Sequence, residues 1–367
     1  MVIIMHINAL TVDSFRNYKN GHIKLCPATN VFYGNNAQGK TNLLEAVYLF
    51  SHGRSHRART DSELIRFGDE RYILKLLFED SEREYNAVMR CGKEGKKQIK
   101  INNVPITKLS MLMSYLNVVM FTPEDLELVK GAPSARRRFI DEAISQLYPK
   151  YLSELIHYHK TLVQKNSLLK TLKYKGVTSD AMLSVWNEQL AEYGSVVYKY
   201  RRDFINSLDS LSKPIHKDIT NEALSVVYNS GIRINESKNI RDSFYEVLEQ
   251  NQKREIEFGS ALSGIQRDDF RIFINNNEAK IFGSQGQQRT CVLTLKIAET
   301  EFIKNERGEY PVLLLDDIMS ELDINRRGYL WERITDKQVL LTCTDTEILK
   351  STDNTRIFHI EDGKISE

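Results

Sequence analysis

The chain has 367 residues, of which 41% are hydrophobic and 27% are charged. This length accommodates two domains or one domain with a large insertion, and the hydrophobic content is sufficient for a core, which excludes a disordered chain. Because 51 Lys and Arg residues nearly balance 49 Asp and Glu residues, nucleic-acid binding would require basic residues concentrated on one surface.

The cysteines and the N-terminus indicate the compartment. The four cysteines are far apart and form no Cys-x-x-Cys pair, which predicts core thiols in a reducing cytoplasm and argues against a zinc site or a disulfide framework. The N-terminus lacks a secretory signal, and no apolar run approaches the roughly 18 residues of a membrane span. We therefore expect a soluble, cytoplasmic protein without a membrane partner.

The chain begins with β-structure. Apolar residues recur at alternate positions from Ile3 to Val12, which predicts a strand. Residues Phe15–Tyr18 predict a turn, and residues 22–25 predict a second short strand. The apolar run Val31–Tyr33 is the next strand candidate.

Residues Gly34–Thr41 match the phosphate-binding loop pattern of Gly, four variable residues, Gly-Lys and Ser or Thr. A predicted strand precedes the loop, and the helical periodicity of Asn42–Phe50 follows it, which is the context that the motif requires. In this arrangement backbone N–H groups surround phosphates, Lys40 adds a positive charge, and Thr41 can bind Mg²⁺. The sequence therefore predicts a nucleotide site.

Two basic stretches follow the loop. Residues 51–59 contain three arginines and two histidines, and residues 90–108 contain six basic residues against one acid. Antiparallel strands are predicted over residues 71–78, 84–91 and 98–101. Each basic stretch is either a solvated loop or a surface that contacts the phosphates of nucleotide or DNA.

A helical region follows a short buried strand at Val118–Phe121. Helical periodicity extends from about residue 134 to 212. The region has no lasting heptad pattern, and Pro149 and Pro214 interrupt it. We therefore expect a compact lobe and not a long coiled coil. Six lysines of this region have few acids near them in the sequence and predict a basic helical face: Lys150, Lys160, Lys165, Lys170, Lys173 and Lys175.

The segment after this lobe predicts further alternating elements. We expect a strand over residues 224–228 and a helix over residues 240–257. A hairpin is predicted from Phe270–Ile274 and Ala279–Phe282, with its turn at Asn275–Asn277.

Two polar sites are predicted near the C-terminus. A helix begins near Ser284 and Gly286, and its N-terminus is either a second anion site or an ordinary N-cap. The buried strand Val312–Leu315 ends in Asp316 and Asp317. Two adjacent carboxylates at the tip of an apolar strand are costly unless they meet a cation, which favours Mg²⁺.

A phosphate loop, a strand ending in two acids and a Ser-x-Gly helix start together predict an ABC-type ATPase. The sequence resembles the heads of SMC-type proteins and, more closely, the bacterial RecF family of recombinational repair proteins, along essentially the whole chain. The motifs that carry this resemblance are Phe15–Tyr18, Gly34–Ala46, Ser51–Arg57, Pro123–Asp141, Gly283–Arg289 and Leu315–Asp323.

The resemblance implies an α/β fold. This fold is a P-loop ABC-type ATPase head, a mixed sheet with flanking helices, plus an inserted mainly helical lobe without a long coiled coil. The predicted domains are the N-terminal part of the ATPase lobe over residues 1–121, the helical lobe over 122–283, and the signature helix with the rest of the ATPase lobe over 284–367.

The resemblance also implies ATP and Mg²⁺ as cofactors. Lys40 would hold the β- and γ-phosphates, Thr41 and Asp316 would bind Mg²⁺, and Asp317 would polarise the attacking water, so that Asp317 and Lys40 are the catalytic candidates. The implied nucleotide-binding residues are Gly34, Asn35, Asn36, Ala37, Gln38, Gly39, Lys40, Thr41, Asn42, Arg16, Ser284, Gly286 and Asp323. Of these, Ser284 and Gly286 would contact ATP in a second subunit, and Asp323 would cross the dimer interface.

The implied function is a weak, DNA-stimulated ATPase that acts as a switch. It would form an ATP-dependent homodimer, bind duplex DNA and duplex/single-strand junctions, and help the mediator protein RecR, with RecO as a second candidate, to load recombinase at gaps. The Q-loop glutamine of ABC enzymes is missing around Thr122, and Cys343 lies where transporters carry a switch histidine. Both departures suggest slow hydrolysis.

Two alternatives remain open. An ABC transporter ATPase subunit is disfavoured because Thr41 and Ser284 are 243 positions apart and the switch histidine is missing. An SMC-like architectural ATPase is disfavoured by the short helical lobe and by the absence of a Cys-x-x-Cys hook. Gel filtration with and without ATP and duplex DNA distinguishes the three.

Overall fold

The computed structural model describes residues 5–235, 237–345 and 355–367. The chain divides into two compact units. The first unit contains the residues up to Leu126, Asp218–Asn221, and the residues from Arg289 onward, and the second contains Glu127–Lys217 and Glu222–Gln288. The sequence prediction places the boundaries at residues 121 and 283 and does not include the short return at Asp218–Asn221.

The strands of the first unit are β1 (His6–Phe15), β2 (Tyr18–Lys24), β3 (Thr29–Tyr33), β4 (Arg71–Glu79), β5 (Glu84–Gly92), β6 (Lys97–Ile101), β7 (Val104–Ile106), β8 (Val118–Phe121), β12 (Val312–Asp316), β13 (Val339–Cys343), β14 (Thr355–Glu361) and β15 (Lys364–Ser366). Its helices include α1 (Lys40–His52), α2 (Leu109–Leu112), α10 (Ile318–Glu321) and α11 (Ile324–Ile334), and α9 (Gln285–Arg307) contributes residues to both units.

One sheet of the first unit is antiparallel, in the order β2-β1-β4-β5-β6-β7. Burial alternates along β5, where Tyr85, Ala87, Met89 and Cys91 face the core, as expected for a sheet with one solvated face. Strand β7 was not predicted. The first two residues of the predicted strand at Ile3–Val12 lie outside the described residues.

The other sheet is mixed, in the order β15-β14-β3-β13-β12-β8. Its strands from β14 to β8 are parallel, and β12 and β13 are buried along their whole length, as their continuous apolar runs predict. Because these strands are parallel, the ends of β3, β12 and β13 meet at one edge of the sheet. One hydrophobic cluster joins this sheet, α1 and the antiparallel sheet.

The elements of the second unit are α3 (Glu127–Lys130), α4 (Pro133–Ser145), α5 (Pro149–Lys175), most of α6 (Ala181–Thr220), α7 (Ile240–Phe258), α8 (Ala279–Phe282), β9 (Leu224–Asn229), β10 (Asp269–Ile274) and β11 (Asn277–Glu278). The strands form one small sheet in the order β11-β10-β9.

Three sequence predictions about the second unit were wrong. Residues Ala279–Phe282 are a helix, and β11 pairs with β10 through a turn at Asn275 and Asn276, which have left-handed φ values of 48° and 67°. Pro214 lies inside α6 and does not end it. Lys165 is fully buried, 2.6 Å from the carboxylate of Glu255, so it does not belong to the basic face.

The remaining expectations about composition concern the cysteines and the membrane. Cys91, Cys291 and Cys343 are buried, and Cys26 is half-buried; none of the four is in a disulfide. Within the described part of the chain, no helix is long and apolar enough to cross a membrane.

Candidate functional site

The phosphate loop connects β3 to α1 in the first unit and requires its two glycines. Gly34 has a φ of 151°, and a Cβ atom there would lie 2.3 Å from the carbonyl oxygen of Ile360. Gly39 has a φ of 114°. Only glycine adopts such angles without strain, so the motif glycines allow the chain to wrap into a cradle.

The Lys40 side chain folds back over this loop. Its Nζ donates to the carbonyl oxygens of Gly34 at 2.7 Å and Asn35 at 3.0 Å. Lys40 is only 3% exposed, so its positive charge is concentrated inside the cradle. This charge would attract a phosphate group placed in the cradle.

The turn between β1 and β2 holds the loop in place. The Asn17 side chain donates to the Gln38 carbonyl at 2.8 Å, and the Tyr18 hydroxyl donates to the Gly39 carbonyl at 3.0 Å. Asn17 also accepts a bond from the Asn42 side chain at 2.9 Å. The loop is therefore fixed by side chains from the Phe15–Tyr18 motif, and Asn42 supports it from α1.

Thr41 and Asp316 meet at the edge of the parallel sheet. The Thr41 hydroxyl donates to Asp316 Oδ1 at 2.8 Å. Asp316 is 8% exposed, and burial raises its pKa. A buried carboxylate is costly without a cation, and a hydroxyl and a carboxylate are the oxygen ligands that Mg²⁺ takes beside phosphates and water. The residues present therefore fit Mg²⁺.

Among the described residues, no group of three or more His, Cys, Asp and Glu side chains could hold a metal by itself. A cation at Thr41 and Asp316 would complete its coordination with oxygens of phosphate or water. This matches the way in which Mg²⁺ binds together with nucleotides.

Thr342 is a site residue that the sequence analysis missed. Its buried hydroxyl donates to Asp316 Oδ1 at 2.7 Å and accepts the backbone N–H of Asp317 at 2.9 Å. It lies opposite Asp316 in the register of β12 and β13. The only signal in the sequence is a threonine near the end of an otherwise apolar strand.

Asp317 has a left-handed backbone conformation, with a φ of 50°, at the start of α10. Such a conformation costs a non-glycine residue about 1 kcal/mol or more, and the bond from its N–H to Thr342 helps to maintain it. Asp317 is half-buried beside Asp316, and its negative charge adds to the effect of burial that raises the pKa of Asp316.

Arg16 has a protein partner. Its guanidinium binds Glu45 of α1 through two bonds of 2.8 and 2.7 Å, and the carboxylate is fully buried. Burial opposes ionisation, but the bonds from Arg16 and Ser55 keep the pKa of Glu45 below its usual value. The ion pair with Arg16 explains why the buried charge of Glu45 is tolerated in α1. The position of the Arg16 side chain is therefore explained without a nucleotide contact.

Ser284 caps α9 in the second unit. Its hydroxyl accepts the N–H of Gln287 at 3.2 Å, and its own N–H donates to the Gln287 side chain at 2.9 Å, which is a reciprocal capping box. Ser284 is exposed. Ser284 is therefore an N-cap residue, as one of the two alternatives predicts. The N-terminus of α9 also keeps the geometry that could receive an anion.

Asp323 caps the following helix of its own chain. Its carboxylate accepts the N–H groups of Asn325 at 3.1 Å and Arg326 at 3.0 Å, and it forms an ion pair with the Arg326 guanidinium. These contacts hold the pKa of Asp323 below its usual value. Asp323 thus fixes the start of α11.

The sequence departs from the ABC pattern at Thr122 and at Cys343, and the structure shows the surroundings of both residues. The N–H of Thr122 donates to the Asp125 carboxylate at 2.7 Å, in the segment where the Q-loop glutamine is missing. Burial raises the pKa of Cys343 to about 11, so this thiol is uncharged at neutral pH. Cys343 cannot act as the protonatable group that a histidine would provide.

Comparison with known proteins places this geometry in a family. The RecF/RecN/SMC N terminal domain family matches residues 6–366. The DNA replication and repair protein RecF of Clostridium perfringens (strain SM101 / Type A) is 44% identical over 363 residues, which cover 98% of this chain and 99% of that protein. The protein of the same name from Clostridium novyi (strain NT) is 40% identical over 365 residues, covering 99% and 100%.

Solved structures agree with the sequence comparison. The recombination mediator protein RecF, solved with ATPrS and described in the RecFOR pathway, superposes with a TM-score of 0.93 at 35% identity and covers 99% of this chain and 98% of that one. The Smc head bound to the C-winged helix domain of ScpA has a TM-score of 0.58 at 15% identity, covering 98% and 96%, which supports the predicted fold class alone. The resemblance inferred from the motifs is confirmed: the chain belongs to the RecF family.

Proposed function

We propose that this chain is an ATP-dependent DNA-binding protein of recombinational repair and replication restart. ATP binding joins two copies on DNA, and slow hydrolysis releases them. The observation that carries the proposal is the contact of 2.8 Å between the Thr41 hydroxyl and Asp316, because it joins the phosphate loop to the acidic strand end where Mg²⁺ and a triphosphate would bind. Relatives solved with ATP and ATPrS add support.

The nucleotide is held by the first unit in this proposal. The loop N–H groups and the N-terminus of α1 receive the phosphates, and Lys40 neutralises part of their charge. Bound Mg²⁺ would neutralise the charge that develops on the phosphate oxygens. Thr41 and Asp316 hold that ion, and Asp317 orients the attacking water. A shorter Asp at this position and the uncharged Cys343 both fit slow hydrolysis.

The second copy closes the site. Ser284 and Gly286 open the first turn of α9, and Ser284 is exposed, so a γ-phosphate bound to another copy could reach this helix N-terminus. Asp323 crosses the dimer interface and orders the nucleotide site of the other copy. Hydrolysis removes the shared anion, and the two copies then separate. ATP therefore acts as a reversible link between subunits.

DNA binding is supported by basic side chains on two surfaces. On the solvated face of the antiparallel sheet, Lys75 and Lys100 flank Val88 in register, and Arg90 lies on the same face of β5. On α5 of the second unit, five exposed lysines remain once Lys165 is removed from the predicted face. Phosphate contacts from Lys and Arg give affinity without sequence preference. Duplex DNA and duplex/single-strand junctions are the proposed ligands.

The proposed partners are the mediator protein RecR and, as a second candidate, RecO. The support is the description of the solved relatives as parts of the RecFOR pathway. With these partners, the DNA-bound dimer would help to load recombinase at gaps.

Sedimentation velocity of the wild-type protein tests the proposal. We expect a monomer without ligand, a dimer with Mg²⁺ and ATP, and a dimer bound to DNA when a duplex with a single-strand junction is added. ADP in place of ATP should leave the monomer. A monomer that binds Mg²⁺ and ATP to saturation, with or without DNA, would contradict the proposed switch.

A further inference from the structure

Phe67 lies at the tip of a tight turn in the first unit and is fully solvated. Its relative exposure is 100%, the highest among the large hydrophobic side chains of the described residues, of which Tyr174 is next at 92%. Single exposed apolar residues are common on proteins. A phenylalanine ring without any covering contact is more unusual, because aromatic rings carry a large apolar surface.

The turn that carries Phe67 is well defined. The N–H of Asp69 donates to the carbonyl of Arg66 at 3.0 Å, and Gly68 has a φ of 91°, which is the pattern of a type II turn with Phe67 at its first central position. The N–H of Arg66 donates to the carbonyl of Ser14 at 2.8 Å. The backbone therefore presents the ring at a fixed place on the surface.

The surroundings of this turn are basic. The segments 53–71 and 92–97 contain eight Lys and Arg residues against five Asp and Glu residues. They are joined by a bond of 3.2 Å from the N–H of Lys93 to the carbonyl of Glu70 and by an ion pair of 2.7 Å between Lys97 and Asp61. Four of the acids pair with a neighbouring cation, namely Asp61 with Lys97, Asp69 with Arg66, Glu70 with Lys93 and Glu94 with Lys96. Eight cations against five acids leave these two segments with a net charge of +3, although four of the cations are in these pairs and Arg57 pairs with Glu45.

We propose that Phe67 stacks on an unpaired nucleobase at the point where a DNA duplex becomes single-stranded. This inference rests on the proposed DNA-binding function and names the contact that distinguishes a junction from plain duplex. A planar ring offers its face to any base, and stacking on an aromatic side chain is sequence-tolerant. The surrounding cations bind the flanking phosphates, which positions the strand. An apolar pocket on a protein partner would not need this positive charge.

A fluorescent base analogue tests the contact directly. The full-length protein is titrated with Mg²⁺ and ATPγS at one fixed salt concentration against two DNA molecules. The first is a duplex with a single-stranded extension that carries 2-aminopurine at its first unpaired position. The second is a closed circular duplex, which has no junction. Stacking quenches the analogue. We expect the wild type to quench it and Phe67→Ala to lose the quenching, with the junction affinity falling by about tenfold and the circular-duplex affinity unchanged.

Two further variants separate stacking from other contacts. Phe67→Trp should keep the quenching, whereas Phe67→Leu, which keeps an apolar but non-planar side chain, should lose it. Phe258→Ala, which truncates an exposed ring of the second unit (61% exposed), should behave as the wild type. Full quenching by Phe67→Ala or by Phe67→Leu would overturn the stacking contact but leave the proposed function intact. A wild-type protein that binds neither DNA would overturn the proposed function itself.

Discussion

Replacing Thr342 by valine removes a buried hydroxyl that bonds to both acidic residues of the candidate nucleotide site. The hydroxyl donates to Asp316 at 2.7 Å and accepts the N–H of Asp317 at 2.9 Å, and Thr342 is fully buried. Valine has nearly the same shape, so the change leaves no cavity, and the effect comes from the lost bonds. A buried polar group left without its partner costs about 1–3 kcal/mol.

We expect Thr342→Val to lower the free energy of unfolding of the ligand-free protein by about 1–3 kcal/mol, measured by urea denaturation. The same change removes a bond that holds the Asp316 carboxylate in place, so the carboxylate is less well oriented toward Mg²⁺. Affinity for ATP in the presence of Mg²⁺, measured by isothermal titration calorimetry, should fall by about fivefold or more. Affinity without Mg²⁺ should change less.

Thr342→Ser is the matched control, because it keeps the hydroxyl and loses only a methyl group. We expect it to bind ATP with Mg²⁺ as the wild type does. If the valine variant also binds as tightly as the wild type, or if both variants lose affinity equally, then the Thr342 hydroxyl does not organise the site in the way that its contacts imply.

Three other predictions concern the acids and the lysine of the site. Because burial raises the pKa of Asp316, the folded state loses stability as the pH rises from the pKa of the unfolded state through that of the folded state. Asp316→Asn should therefore resist urea better than the wild type at pH 7 without ligand, but it should lose the stabilisation that Mg²⁺ and ATP provide. A ligand-free variant that is less stable than the wild type would refute this. Lys40→Met should abolish ATP-dependent dimerisation in gel filtration, and a dimer of normal affinity would contradict the role of Lys40. Asp317→Asn should trap the ATP dimer, so that its dissociation after ATP removal is slower than that of the wild type; equal rates would exclude Asp317 from hydrolysis.

The local patterns of the sequence predict most of the elements that form the candidate nucleotide site. The strand before the loop, the loop itself and the strand that ends in Asp316 were predicted because each is a short, strongly patterned segment. The parallel arrangement follows from the apolar runs, and it brings Thr41 and Asp316 together from positions 275 residues apart. These are the parts of the site where local propensity and tertiary structure agree.

The residues that sequence reasoning misjudged or missed depend on partners elsewhere in the chain. Lys165 reads as a surface lysine until Glu255 is placed beside it. Thr342 is inconspicuous until the strand register sets it against Asp316. In each case the deciding interaction is a long-range ion pair or hydrogen bond, which periodicity along the chain does not encode.

The hairpin at Asn275 shows a different limit. A two-residue turn of asparagines in the left-handed region was enough to reverse the chain, but the return strand is only two residues long. The apolar residues of the predicted second strand, such as Ile281, form the short helix α8 and are exposed. A run of four residues is too short for its periodicity to distinguish a strand from a helical turn.

The central claim is that the nucleotide is shared between two copies of the chain, and Ser284→Arg tests it most directly. Ser284→Ala is the control for loss of the N-cap, which alone costs about 1 kcal/mol. Sedimentation velocity at saturating Mg²⁺ and ATP, with bound nucleotide quantified in the same samples, is the measurement. We predict that Ser284→Arg binds ATP as the wild type does but sediments as a monomer, while Ser284→Ala still dimerises. A Ser284→Arg protein that forms the ATP-dependent dimer with wild-type affinity would contradict the claim.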